Sequence, residues 1–358
     1  MGRRSRNEAG DGAAYHARVD RPSTSPRADE LVDGFGRVHR DLRISVTDRC
    51  DFRCTYCMPE DGLPWVPRDQ VLTYEEIGRI AGVLVERFGI TSIRLTGGEP
   101  TVRAHLADLV ALLAPLGTDL SMTTNGASLE RQARDLRAAG LRRINVSLDS
   151  LRADRFAELT RRDSLDKVLR GIDAAVDAGF DPVKVNVVLI AGVNDDEIVD
   201  FARFGRERGV AVRFIEFMPL DADGQWDGTE VVGRDQVLGA LAPVFPTVPV
   251  SRGHEPAERH RFLDRPVGAP GSEIGIIPSV TTPFCSTCDR IRLTAEGQLR
   301  NCLFSVEETD LRAVLRDGGS DDDLVDAIRR CVAAKRAGHG IGTPTFIRPG
   351  RSMSQIGG

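Results

Sequence analysis

Leu42-Arg43-Ile44-Ser45-Val46-Thr47-Asp48-Arg49-Cys50-Asp51-Phe52-Arg53-Cys54-Thr55-Tyr56-Cys57 is the stretch from which the rest of the chain is read. A short β-branched run, Leu42–Val46, is followed directly by three cysteines in the order C-x3-C-x2-C. Three thiolates within eight residues can hold three corners of a 4Fe–4S cube and leave the fourth iron without a protein ligand. An open iron can bind a small molecule chemically, which a four-cysteine electron-transfer cluster cannot readily do. Structural zinc is the competing reading. Such a site is normally closed by four ligands, and no fourth Cys or His lies close in sequence. His39 stands eleven residues before Cys50 and would have to reach back by a loop. The spacing favours the iron–sulfur reading.

Outward from this stretch the pattern repeats as strand, polar turn and amphipathic helix. Strands are expected at Leu42–Val46, Ser92–Thr96, Asp119–Thr123, Arg143–Ser147, Val183–Leu189 and Val212–Phe217. One helix starts at Thr73, where Glu76 completes a capping box, and runs to about Phe88. Others cover roughly Ala104–Leu113, Glu130–Ala139, Leu165–Ala178 and Asp195–Arg208, with Gly140, Gly179 and Gly209 at the expected C-caps. Alternation of this kind means parallel sheet. Six units are too few for a closed eight-fold barrel, so an incomplete barrel or an open sheet is expected. In such folds the C-terminal strand ends carry the site, and Thr96–Pro100, Thr123–Gly126, Ser147–Asp149 and Glu216–Met218 cluster there.

Seven cysteines occur, and six fall into two groups of three. The second group, Cys285, Cys288 and Cys302, is C-x2-C-x13-C. A zinc ribbon completed by His260 or His254 and a second open cluster fit this spacing equally well. Cys331 stands alone in an amphipathic stretch and reads as a core residue.

Composition narrows the class. With 53 acidic against 48 basic residues the net charge is −5, which gives no support for nucleic-acid binding. No run of 18 apolar residues suggests a membrane span. The first residues are polar and without apolar periodicity. They read as a disordered tail over 1–34, with no secretory or transit signal. A cytoplasmic location is expected. Residues 35–220 form the barrel region, 221–340 a compact module with the second cysteine group, and 341–358 a tail ending in Gly357-Gly358. Short helices are expected near Arg234–Leu241, Glu308–Arg316 and Asp321–Ala334.

The cysteine stretch 50–57, with an aromatic residue just before its last cysteine, resembles the signature of the radical S-adenosylmethionine superfamily. Gly97-Gly98-Glu99-Pro100 resembles that family's turn for the methionine moiety of the cofactor. Within the superfamily, the second triplet, the opening stretch 42–50, Thr123–Gly126, Val146–Asp149, Lys184–Val187, Arg213–Pro219, Asp289–Leu293 and the terminal Gly-Gly are similar to the GTP 3′,8-cyclase family, over about residues 35–358. The resemblance implies an incomplete (β/α)6 barrel with a C-terminal iron–sulfur cluster-binding module. It implies two 4Fe–4S clusters, held by Cys50, Cys54 and Cys57 and by Cys285, Cys288 and Cys302, together with S-adenosyl-L-methionine at Tyr56, Gly98, Ser147 and Met218. GTP would be bound by Arg43, Arg94, Thr123, Lys184, Arg290 and Arg292, and Gly357 and Gly358 would reach the active site. The chemistry implied is hydrogen abstraction from C3′ of GTP by a deoxyadenosyl radical, then closure onto C8. An external electron donor and a downstream cyclic pyranopterin monophosphate synthase are the implied partners. A monomer or homodimer is expected, without nucleic acid or membrane.

Overall fold

The computed structural model describes residues 29–358, apart from 222–223, 225, 252–254, 345 and 358. Most of the expected tail, residues 1–28, lies outside the described residues, as do His254 and Gly358. The remainder of that span belongs to the fold: Leu31 is buried, Val32 bridges Val38, and Asp33 pairs with Arg37 at 2.6 Å. The boundary expected at residue 35 therefore falls too late, because one apolar side chain and one buried ion pair anchor the segment.

Six strands run parallel in chain order: β1 (Asp41–Ser45), β2 (Ser92–Thr96), β3 (Asp119–Thr124), β4 (Arg143–Ser147), β5 (Val183–Leu189) and β6 (Ala211–Glu216). Helices α1 (Tyr74–Phe88), α2 (Leu106–Leu113), α3 (Leu129–Ala138), α4 (Ala153–Thr160), α5 (Leu165–Asp177) and α6 (Ile198–Arg208) connect them. The capping box at Thr73 is present: its hydroxyl accepts from Glu76 N at 3.2 Å, and Glu76 accepts from Thr73 N at 2.7 Å. A cap of this type is worth about 1 kcal/mol. Helix α4, of eight residues, was not among the helices expected from the sequence.

The sheet continues beyond the six units. After α7 (Arg234–Leu241) come β7 (Thr247–Pro249), β8 (Glu258–Phe262), β9 (Glu273–Ile277), β10 (Arg290–Leu293), β11 (Gln298–Arg300) and β12 (Thr309–Asp310). The order is β12-β11-β10-β1-β2-β3-β4-β5-β6-β9-β8-β7. Strand β10 lies parallel to β1, and β9 lies parallel to β6. The segment after residue 220 thus extends both edges of the barrel sheet and does not build a core of its own. Helices α8 (Leu311–Arg316) and α9 (Asp321–Ala333) follow, and α9 packs beside α1. One apolar cluster joins Leu42, Ile44 and Ile93 to Ile291, Leu299, Ile328 and Cys331. Edges β12 and β7 do not pair, so the barrel stays open.

Side chains alternate across each strand. Leu42, Ile44, Ile93 and Leu95 are fully buried in the apolar cluster. Their neighbours Arg43 and Arg94 face the other way, into the lumen, where Arg43 stands in register with both Arg94 and Arg292. Like charges on adjacent strands destabilise a sheet. A lumen that carries them is built to receive something anionic.

Candidate active site

A cavity of about 280 Å³ opens at the C-terminal ends of the parallel strands. All six clustered cysteines line it, and each is half-buried. Tyr56, Gly98, Ser147, Met218, Arg43, Arg94, Thr123, Arg290 and Arg292 line it too. Residues from Arg43 to Cys302 are thus brought to one space by strand order.

The loop of the first triplet is held from several sides. Gly98 N donates to the Thr47 carbonyl and Glu99 N to the Arg49 carbonyl, each at 2.8 Å. A Cβ on Gly97 would meet the Thr47 carbonyl oxygen, and one on Gly98 the Arg49 carbonyl oxygen. The two glycines are therefore required by the close approach of the cysteine loop's own backbone, in addition to any ligand. Glu99 is buried and accepts from Thr101 N at 3.0 Å, Thr124 Oγ1 at 2.6 Å and Asn125 N at 2.6 Å. Asn125 in turn donates to Asp51 at 2.7 Å, next to Cys50. On the outer side, Arg53 donates to the Cys50 carbonyl at 2.7 Å, Arg162 to Asp51 O at 2.7 Å, and Arg161 to Arg53 O at 3.1 Å. Tyr56 is fixed by a 2.5 Å hydrogen bond from its hydroxyl to Asp149.

Burial pushes the Cys50 and Cys54 thiols up, and Cys57 up to about 12, with Glu99 or Asp149 adding to the effect. Thiols so disposed stay protonated until a cation replaces the proton, as metal ligation does. In the second triplet burial pushes Cys285 up likewise, but Cys288 goes the other way. Burial again disfavours the thiolate, but Arg290 and Lys335 outweigh it and bring Cys288 down to about 6. Among the described residues no three His, Cys, Asp or Glu side chains are gathered tightly enough to hold a single metal ion. Two of the alternative zinc ligands stand elsewhere. His39 Nε2 is 3.1 Å from Asp33, and His260 sits in β8, away from the cavity. Half-buried thiols in threes, facing a shared space, fit two clusters that each keep an open corner.

The cations form a graded wall. Arg43, Arg94, Arg290 and Arg292 surround Asp41, whose carboxyl they hold below its usual range against the opposing effect of burial. Burial lowers Arg43 and Arg94, and proximity to other arginines lowers Arg43 further. Lys184 does not line the cavity. It is 8% exposed and lies 3.8 Å from Glu255, beside Arg213, which does line it. Arg213 was not singled out from the sequence as a site cation, although it lies in the stretch 213–219 that carried the resemblance. His339, which bonds Ser279 O at 3.1 Å and lines the same wall, carried no signal at all.

The chain's last described residues close the lumen. Helix α10 (Met353–Ile356) places Met353 and Ser354 in the cavity wall. Beyond it, Gly357 lies between Ser45 and Thr96, and its carbonyl accepts from Arg292. Its φ of 79° and the absence of room for a Cβ both demand glycine.

Comparison with known proteins agrees with this geometry. The model of the Radical SAM superfamily matches residues 44–205, and that of Molybdenum Cofactor Synthesis C matches residues 210–341. The chain is 51% identical over 331 residues to a GTP 3′,8-cyclase of Rhodopirellula baltica, covering 92% of each chain. It is 51% identical over 342 residues to GTP 3′,8-cyclase 2 of Mycobacterium tuberculosis, covering 94% of each. The fold also matches the crystal structure of Streptococcus suis SuiB bound to S-adenosylmethionine, with a TM-score of 0.54 and 13% identity over 88% of this chain and 77% of that one. By motif, fold and relatives, the chain belongs to the GTP 3′,8-cyclase family of the radical SAM superfamily.

Proposed function

We infer that this chain is a radical SAM GTP 3′,8-cyclase, converting GTP to 3′,8-cyclo-7,8-dihydro-GTP as the first step of molybdenum cofactor biosynthesis. The observation that carries the reading is that two cysteine triplets and a wall of arginines face a single cavity. Cys50, Cys54 and Cys57 would hold one 4Fe–4S cluster, and Cys285, Cys288 and Cys302 the other. When bound, the first cluster and S-adenosyl-L-methionine supply the electron and the 5′-deoxyadenosyl group for hydrogen abstraction.

The protein's own contribution is binding, orientation and exclusion of water. Tyr56, Gly98, Ser147 and Met218 would receive S-adenosylmethionine beside the first triplet. Arg43, Arg94, Arg290 and Arg292, with Thr123 and the deeper Lys184, would receive the triphosphate. Guanidinium groups suit this task because each grips two phosphate oxygens at once. In the resting protein Asp41 partly balances these charges. An arriving polyanion completes the balance, so much of the binding energy arises where substrate must be held. The Gly357 segment would shield the reacting atoms from solvent, a role that Gly358 would share. An external electron donor would serve the first cluster, and cyclic pyranopterin monophosphate synthase would take the product. The protein would act as a monomer or homodimer.

The test uses anaerobically reconstituted protein with S-adenosylmethionine and a strong reductant, with and without GTP. GTP-dependent 5′-deoxyadenosine and a cyclised nucleotide are expected. Deoxyadenosine formed equally without GTP would reopen the substrate.

A further inference from the structure

The two cysteine triplets sit in opposite electrostatic surroundings. Carboxylates face the first, and the arginines of its loop, Arg53, Arg161 and Arg162, reach backbone carbonyls. Glu99 and Asp51 face Cys50, with Asp51 Oδ1 4.0 Å from its sulfur, and Asp149 faces Cys54 and Cys57. The charges acting on the second are mostly cations. Arg290 faces Cys285 and Cys288, while Arg292 and Arg300 face Cys302. Asp289, next to Cys288 in sequence, is itself under Arg290 and Lys335.

Lys335 stands out because nothing in the proposed reaction uses it. It follows α9, is 4% exposed, and points inward. Its Nζ donates to the Arg290 carbonyl at 2.9 Å and the Cys288 carbonyl at 3.4 Å, and lies 3.7 Å from Cys288 Sγ. Arg37 braces the same loop from the other end, donating to the Cys285 carbonyl at 2.7 Å and to Arg336 O at 2.6 Å. A buried ammonium is costly unless it meets negative charge. The negative charge on offer here is that of the second triplet once its sulfurs are ligated.

A cluster gains a negative charge on reduction. Nearby cations and N–H donors to its sulfurs favour the reduced form, and nearby carboxylates oppose it. We propose that Lys335 is a positioning residue of the second cluster, holding its reduction potential above that of the first. This rests on the reading that both triplets hold 4Fe–4S clusters. The consequence is a division of labour: the first cluster is the stronger donor once reduced, and the second is the easier to reduce and does not compete with it in cleaving S-adenosylmethionine.

The experiment is an equilibrium redox titration of the full-length, anaerobically reconstituted chain, followed by electron paramagnetic resonance. Each cluster is isolated by removing the other's ligands, in C50A/C54A/C57A and C285A/C288A/C302A. In K335Q the second cluster's ratio of reduced to oxidised form at a fixed potential is expected to fall about tenfold, equivalent to 59 mV for one electron. The first cluster is expected not to move, and K335R to stay near the parent. A second-cluster potential unchanged in K335Q, or a first cluster lying above the second, overturns the proposal. So does a K335Q protein that assembles no second cluster while K335R does, since Lys335 is then purely structural. Iron and sulfide for only one cluster in the unmodified chain would instead defeat the two-cluster reading, and that outcome is visible before any titration.

Discussion

Arg43, Arg94 and Arg292 stand side by side on three adjacent strands, against the usual rule for cross-strand pairs. The strain this stores is local and is offset by the apolar cluster on the opposite face of the same strands. Lys184 shares the arrangement. Burial, and then Arg213 beside it, push its ammonium down from 10.5 to about 7. Between these two values the unfolded chain holds the proton and the folded chain does not, so stability rises with pH across that window and is lowest below 7. A bound polyphosphate reverses the preference and favours the charged lysine. The KM for GTP is therefore expected to climb as pH rises past 7, with proton uptake on binding, while K184R stays flat. Calorimetry in buffers of different ionisation enthalpy reads the uptake directly. A pH-independent KM in the parent protein would remove Lys184 from phosphate binding.

At the scale of elements, the C-terminal strap shows how a four-residue helix is kept in place. Such a helix has no stability of its own. Arg351, just before α10, pairs with Glu296 and with Glu308, the latter at 2.6 Å, and so ties the strap to the β10–β12 edge. Arg351→Ala takes this arginine from Glu296 and leaves Glu308 with Arg300 alone. It is expected to cost about 2 kcal/mol of local stability, to speed amide exchange over residues 352–357, and to lower kcat more than it shifts the melting temperature. Unchanged exchange there would show that the Gly357–Arg292 contact alone holds the strap. Elements with local signals, such as α1 with its capping box, were legible from sequence. Strands β8 and β9 were not, because their Pro-, Gly- and Asp-rich surroundings mask short strands whose stability comes from pairing, β9 with β6 and β8 with β9.

At the scale of the whole molecule, the segment after residue 220 is the missing flank of the barrel and not an appendage. Removing it would strip β10 from β1 and β9 from β6, leaving two bare parallel edges. A 29–220 fragment is expected to elute as aggregate in size-exclusion chromatography and to lack a cooperative melting transition. A monomeric, cooperatively folding fragment would mean that the first six units form an independent domain.

The sequence by itself determined the two cysteine triplets, the strand–helix alternation and four of the arginines that line the cavity, Arg43, Arg94, Arg290 and Arg292. Each of these is written in local spacing: ligand intervals, helix and strand periods, and short motifs at strand ends. Only the tertiary structure decided that both triplets face one cavity, that β9 and β10 complete the sheet, that Glu99 and Asn125 brace the first cysteine loop, and that Lys335 sits against Cys288. These depend on strand order and on close approach between distant segments. The single residue carries no trace of them: a lysine after a helix reads the same whether it ends in water or beside a sulfur.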